Sequence, residues 1–229
     1  MAQAGIHGLV SMAVRKLAPE RTWLVYGMVL GSILPDADNL AVAVATVSGR
    51  STAGLHRTFT HSLIAILVVM AAFYLVSLLI KQPRWNNMGL GLGVGILLHT
   101  VLDIFIWFDG VAILWPIPSW FNLWEGVTVP DWWNQLMQPV ELLFFAFFFV
   151  YLYRLARKQG TDQKFLGTLR IWIGLQSVLF LVFLVLAYTL TKGFLTIFGA
   201  IYLLSLGLAV GVTIRMRSTI EPTRQPVSL

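Results

Sequence analysis

The sequence predicts an all-α integral membrane protein, and three observations carry that expectation. Hydrophobic residues make up 58% of the 229-residue chain and charged residues only 11%, whereas a soluble domain carries about 25% charged residues. Several stretches run for about 20 residues almost without charge, the length an α-helix needs to cross a bilayer core. The basic residues collect between those stretches, as the positive-inside rule requires.

Residues 62–80, 89–108, 168–190 and 193–214 each meet the length standard. Residues 140–153 make a fifth span if their helix starts a turn or two earlier, near Trp133 or Pro139. All are expected to be helical, because lipid offers no water to unpaired backbone groups. The first 60 residues are less regular. Residues 6–17, 22–34 and 39–47 are apolar but short, as in re-entrant or broken helices that pack against protein or line a polar cavity. Pro35 is expected to end the second piece, since the residue before a proline disfavours the helical region. The expectation is five firm transmembrane helices plus short, broken or re-entrant helices in the first 60 residues, all in one membrane domain.

Lys81 and Arg84 follow the first firm span, five basic residues from Arg154 to Arg170 separate the third from the fourth, and Arg215 and Arg217 follow the last. Alternating spans place all three groups in the cytoplasm together with Arg15, Lys16 and Arg21. Residues 35–38 and 56–61 then lie outside. The formal net charge of +6 is explained in this way, and no nucleic-acid partner is expected. The N-terminus lacks the basic region, uninterrupted apolar core and cleavage site of a signal peptide.

Residues 109–138 fall on the outer face and hold Trp115, Trp120, Trp124, Trp132 and Trp133. Indoles prefer the headgroup level, so this segment reads as an interfacial anchor with a short surface helix. Gly89, Gly91, Gly93 and Gly95 alternate within the second firm span, a small-residue spacing that lets helices approach closely.

Against this apolar background the ionisable residues stand out, and inside membrane segments such residues are costly and mark function. All four histidines, His7, His56, His61 and His99, lie in the first 103 residues with Asp36, Asp38 and Asp103. The chain therefore divides into a metal-site-bearing half, residues 1–138, and a helical scaffold half, residues 139–229. His99 and Asp103 are four apart and share a helix face. His56 and His61 are five apart, so one belongs to a loop and the other to a first turn, with Thr60 or Ser62 as the cap. Asp36 and Asp38 repel each other unless a cation or donors compensate. His7, between two glycines, has no spacing of its own to recommend it. With no cysteine in the chain, thiolate sites are excluded, and imidazole with carboxylate suits zinc first and manganese next. Seven candidate ligands exceed one tetrahedral site, which points to two ions, or to one ion with orienting partners.

The segments around His7 (GIHG), Asp36 and Asp38 (LPDAD), His56 to Ser62 (HRTFTHS) and His99 to Asp103 (HTVLD) stand in an order that resembles the YdjM-like family of inner-membrane-associated metal-dependent hydrolases, also described as LexA-binding. The resemblance covers residues 5 to about 118 and implies a bacterial inner-membrane hydrolase using a divalent metal. A looser similarity, to zinc-dependent phospholipases C and single-strand-specific nucleases, rests on the order His, Asp, His, then HxxxD. Those enzymes use further histidines after the HxxxD, and this chain has none. The function expected is hydrolysis of a lipid phosphoester at the outer membrane face. In that expectation the seven residues hold zinc, Asp36 or Asp38 accepts a proton, and Arg57 steadies phosphate charge. A ceramidase-like amidase and a metal-binding transporter are the alternatives.

Overall fold

A computed structural model describes residues 3–190 and 192–221. Its helices are α1 (Ala4–Val14), α2 (Leu24–Ile33), α3 (Asn39–Val47), α4 (Leu63–Ile80), α5 (Pro83–Ile106), α6 (Asp131–Gln159), α7 (Leu166–Thr189), α8 (Phe194–Arg215) and the short α9 (Arg217–Ile220). The only bridge between extended segments among the described residues joins Val111 to Phe121. The all-α expectation holds.

Among the described residues, six segments are long and apolar enough to cross a bilayer: the five expected and a sixth, Leu24–Val47. The sixth is assembled from two of the short pieces. Pro35 ends α2 as predicted, but the chain continues through a 3-10 turn, Leu34–Asp38, into α3. Proline is tolerated there because first-turn N–H groups have no intrahelical partner. The break leaves two aspartates in mid-span. The surface helix expected between residues 109 and 138 merges into α6, whose first turn carries Trp132 and Trp133.

The centre of the bundle is α2 against α5, the most extensive helix pair. A Cβ built on Gly91 or Gly95 would fall on the carbonyl oxygens of Leu24 or Met28. Backbone contact of this kind is open only to glycine. Gly89 and Gly93 face the other way, against Phe73 and Met70 of α4, so the alternating glycines serve two internal interfaces. A second core joins α1, α2, α6 and α8 through Met12, Ile33, Phe145, Phe148, Tyr202 and Leu206. α7 enters it only along one face, through Leu169 and Phe183, and α4 lies outside it; both helices expose large apolar side chains such as Leu79, Ile171 and Val185. Bilayer is the medium that matches them.

Arg15, Arg84 and Arg217 gather at one end. Trp23 stacks with the guanidinium groups of both Arg84 and Arg217, and Arg15 donates to the Ile220 carbonyl at 3.4 Å. An even number of spans returns the chain to this face. His99 and Asp103 lie at the other end of α5 from Arg84, roughly 20–30 Å away at 1.5 Å per residue.

Candidate metal centre

Four pieces of backbone converge at that far end. α1 brings His7, and the 3-10 turn after α2 brings Asp36 and Asp38. The loop and 3-10 turn before α4 bring His56 and His61, and the last two turns of α5 bring His99 and Asp103. Three overlapping groups form, His7–His99–Asp103, Asp36–His61–His99 and Asp38–His56–His61, each with ligand atoms within 4.8 Å of one another. Together they contain all seven sequence-predicted ligands and no other residue.

His7, which spacing alone could not place, is fully buried, stacks on the His99 ring at 3.7 Å and sets its Nε2 3.1 Å from Asp103 Oδ1. α1 is held there by Glu141 of α6. A Glu141 oxygen accepts from the Gly5 N–H at 2.7 Å, and a Cβ on Gly5 would stand 2.6 Å from Phe145 N. Of the two candidates for the cap, only Ser62 serves. Ser62 caps α4 through the Ala65 N–H, while Thr60 donates to Asp38 Oδ2 at 2.8 Å. His56 lies in the preceding loop at the rim, its side chain 16% exposed, with Nδ1 2.7 Å from Asp38 Oδ1.

The ring nitrogens can be assigned from their partners. His99 Nδ1 is 2.8 Å from the Ser32 carbonyl, which only accepts, so the proton sits on Nδ1 and Nε2 carries a lone pair. Thr60 spends its hydroxyl proton on Asp38, leaving its oxygen to accept from His61 Nδ1 at 2.9 Å. Burial first, and the nearby His99 second, hold the His61 imidazole well below its ordinary pKa of 6.5. It is therefore neutral, and its Nε2 also carries a lone pair. These two lone pairs face each other at 3.0 Å, an arrangement that repels unless a cation lies against both. Metal–nitrogen bonds of about 2.0–2.1 Å put neighbouring donors about 3–3.4 Å apart around one ion.

Asp36 Oδ1 and Asp103 Oδ2 each stand 3.7 Å from the same His99 Nε2, and Asp103 Oδ2 is 3.6 Å from His61 Nε2. Both oxygens of Asp36 and of Asp103 and both nitrogens of His7 are buried, and apart from the ion-pair approaches of Asp103 to His7 at 3.1 Å and to Arg57 at 3.2 Å they have no close partner in hydrogen-bond geometry among the described residues. Buried polar atoms are normally satisfied. A set aimed at common points rather than at one another fits the group a divalent cation would complete.

Arg57 is buried, places Nε 3.2 Å from Asp103 Oδ2 and Nη1 3.6 Å from Asp109, and packs over Trp107. Its backbone is left-handed, at φ 60°, a conformation that costs a non-glycine residue about 1–2 kcal/mol. Sequence reasoning missed Glu141, Tyr202 and the Ser32 carbonyl. A lone acid in the apolar run 140–149 was the available sign of the first; the other two carry none.

A family model described as YdjM inner membrane protein matches residues 2–198. The inner membrane protein YdjM of Escherichia coli K12 is 31% identical over 138 residues, covering 54% of this chain and 63% of that protein. The protein of the same description in Shigella flexneri matches with the same figures. The match thus spans a little under two thirds of these relatives' own length. No solved structure matches.

Proposed function

This chain belongs to the YdjM inner membrane protein family, and from that premise we propose that it is a metal-dependent hydrolase cleaving a lipid phosphoester within the bacterial inner membrane. The observation that carries the proposal is the seven-residue His/Asp cluster, set among membrane-spanning helices with the carboxylates of Asp36 and Asp103 and the His7 ring buried without hydrogen-bond partners among the described residues. Intramembrane ionisable residues are expensive, and seven in one place call for a counter-charge.

In this reading His7, Asp36, His61, His99 and Asp103 hold one or two ions, zinc by donor type and manganese as the alternative. When bound, the cation supplies Lewis acidity and water made acidic enough to react near neutral pH. The Ser32 carbonyl fixes the His99 ring, and Arg57 steadies Asp103 rather than reaching a substrate. Asp38 is occupied by donors from Asn39, Arg57 and Thr60, so it orients His56 instead of taking a proton itself. His56 Nε2, buried and unpartnered, takes the proton of the attacking water and returns it to the leaving alkoxide oxygen as the P–O bond breaks. The cationic end faces the cytoplasm by the positive-inside rule, which puts the cluster toward the outer leaflet.

The test is elemental analysis of the purified full-length chain, with phospholipid and ceramide vesicles assayed side by side. Stoichiometric metal that is lost in His99→Ala, and metal-dependent release of a phosphorylated headgroup, are expected. Metal-free protein, metal content indifferent to His99→Ala, or amide cleavage alone would sink the proposal.

A further inference from the structure

Between α3 and α8 runs a cleft of about 590 Å³, within the range of about 300–1,000 Å³ usual for small-molecule sites. Its walls are largely apolar, with Val42, Ala43 and Val47 on one side and Leu195, Phe198 and Leu203 on the other, interrupted by Thr46 and Thr196. Both walls belong to membrane-spanning segments. α3 is a thin wall: Ala45 is its only buried residue, while Leu40, Val44 and Val47 are 59–83% exposed. It touches little beyond α8 and the 3-10 turn that carries the aspartates.

Two polar groups of the lining are buried without hydrogen-bond partners among the described residues, and one of them belongs to the cluster. His56 lines the cleft, with Nε2 buried and unpartnered while Nδ1 is tied to Asp38. Tyr202 lines it as well. Its side chain is 4% exposed, and its hydroxyl has no hydrogen-bond partner among the described residues. A buried hydroxyl without a partner is destabilising, and two such polar atoms in the lining of a largely apolar cleft imply a ligand that carries a polar group.

We infer that the α3–α8 cleft is the lateral seat for one acyl chain of a bilayer lipid, with the ester or phosphate linkage of that lipid held at His56 and Tyr202. Calling the lipid the substrate rests on the hydrolase reading above; the seat itself does not. Lipid tails are as apolar as leucine, so the walls alone give a chain no preference for the cleft over the bilayer. Selectivity comes from the two unpartnered polar groups: a phosphate or ester oxygen accepts from the Tyr202 hydroxyl, and a hydroxyl or ordered water donates to His56 Nε2. The occupant enters sideways from the bilayer, with its cleavable bond delivered beside the cluster.

The test uses the full-length chain in nanodiscs with a phospholipid carrying a diazirine at the end of one acyl chain. After irradiation, cross-links are mapped by mass spectrometry. They are expected to concentrate on α3 and α8 at least several-fold over the exposed faces around Leu79 and Val185. Gly199→Phe is the blocking variant: Gly199 lines the cleft, and a Cβ there meets nothing within 4 Å. It should abolish that enrichment while metal content stays at the wild-type level. Tyr202→Phe should keep tail cross-links near α3 but lose the preference for phospholipid over an alkane bearing the same diazirine. Cross-links spread evenly over all lipid-facing helices, or enrichment that survives Gly199→Phe, overturn the inference. Enrichment without hydrolysis by metal-loaded protein upholds the seat and refutes only the hydrolase reading. Hydrolysis that stays unchanged while Gly199→Phe abolishes the enrichment upholds the seat and refutes only that its occupant is the substrate.

Discussion

Replacing Gly95 with alanine puts a methyl group where α5 lies on the backbone of α2. That Cβ falls on the Met28 carbonyl oxygen and stands 2.7 Å from Ser32 N and 2.8 Å from the Gly31 carbonyl carbon. Backbone atoms cannot rotate aside, so the helices must part by about 0.5–1 Å, a gap that forfeits about a quarter to a half of each dispersion contact it opens. Overpacking of this kind costs about 1–3 kcal/mol. The damage also reaches the cluster, because Ser32 supplies the carbonyl that orients His99. Loss of such an orienting partner weakens metal affinity by about 10–100-fold. The assay is thermal unfolding in detergent micelles, followed by metal retention against a graded chelator. Gly93→Ala is the intermediate case, since its Cβ would meet Met70 Sδ, a flexible side-chain tip, at 2.6 Å. Gly207→Ala is the neutral case, with nothing within 4 Å. If Gly95→Ala unfolds with Gly207→Ala and holds metal as tightly, the link from helix contact to site geometry is wrong.

The remaining predictions separate holding the metal from using it. His7→Ala should remove most bound metal, whereas His56→Gln at the rim should keep it and slow lipid cleavage by about 10²–10⁴-fold, the usual contribution of a proton-transfer group; parallel metal analysis and turnover check this. Glu141→Leu leaves the Gly5 N–H buried and unpaired, which costs about 1–3 kcal/mol, and frees α1 to carry His7 away. Glu141→Gln retains an acceptor and should lose far less, as judged by melting temperature and metal content. In chelator-stripped protein, the His61 imidazole titrates well below 6.5 when folded and near 6.5 when unfolded. The unfolded chain therefore binds more protons below about pH 6.5, so stability should be flat above that pH and fall beneath it. A melting temperature that rises on acidification through this window would contradict the assignment of His61 as neutral.

The spans and the ligands were legible in the sequence for the same physical reason. A bilayer tolerates neither unpaired backbone nor isolated charge, so apolar length marks the first and every ionisable exception marks the second. His99 and Asp103 could be paired by helix period alone. His7 could not, because its neighbours are set by α5 and by the Glu141 tether 136 residues away, and no local spacing records a tertiary contact. The continuity of Leu24–Val47 was hidden by Pro35, which ends an α-helix but fits the first turn of a 3-10 one. Arg57 was expected at phosphate. Its left-handed backbone and its approach to Asp103 follow from the loop's path, which residue type does not encode. Glu141 serves a backbone amide, a partner with no letter in the sequence.

The tether between Glu141 and Gly5 also sets a timetable. Chains are synthesised at about 5–20 residues per second, so the 136 residues between these partners take on the order of 10 s to appear. Through that interval His7 is already made, yet α6, against which α1 packs, does not exist. The centre therefore closes late, once the span that carries Glu141 has been inserted, and an early ion would find the cluster without His7. Nascent chains stalled before residue 141 should leave His7 open to imidazole-modifying reagents, and chains stalled after α6 has emerged should not. Biogenesis thus loads the cluster from the α5 side first and shuts it with the helix that was made before all the others.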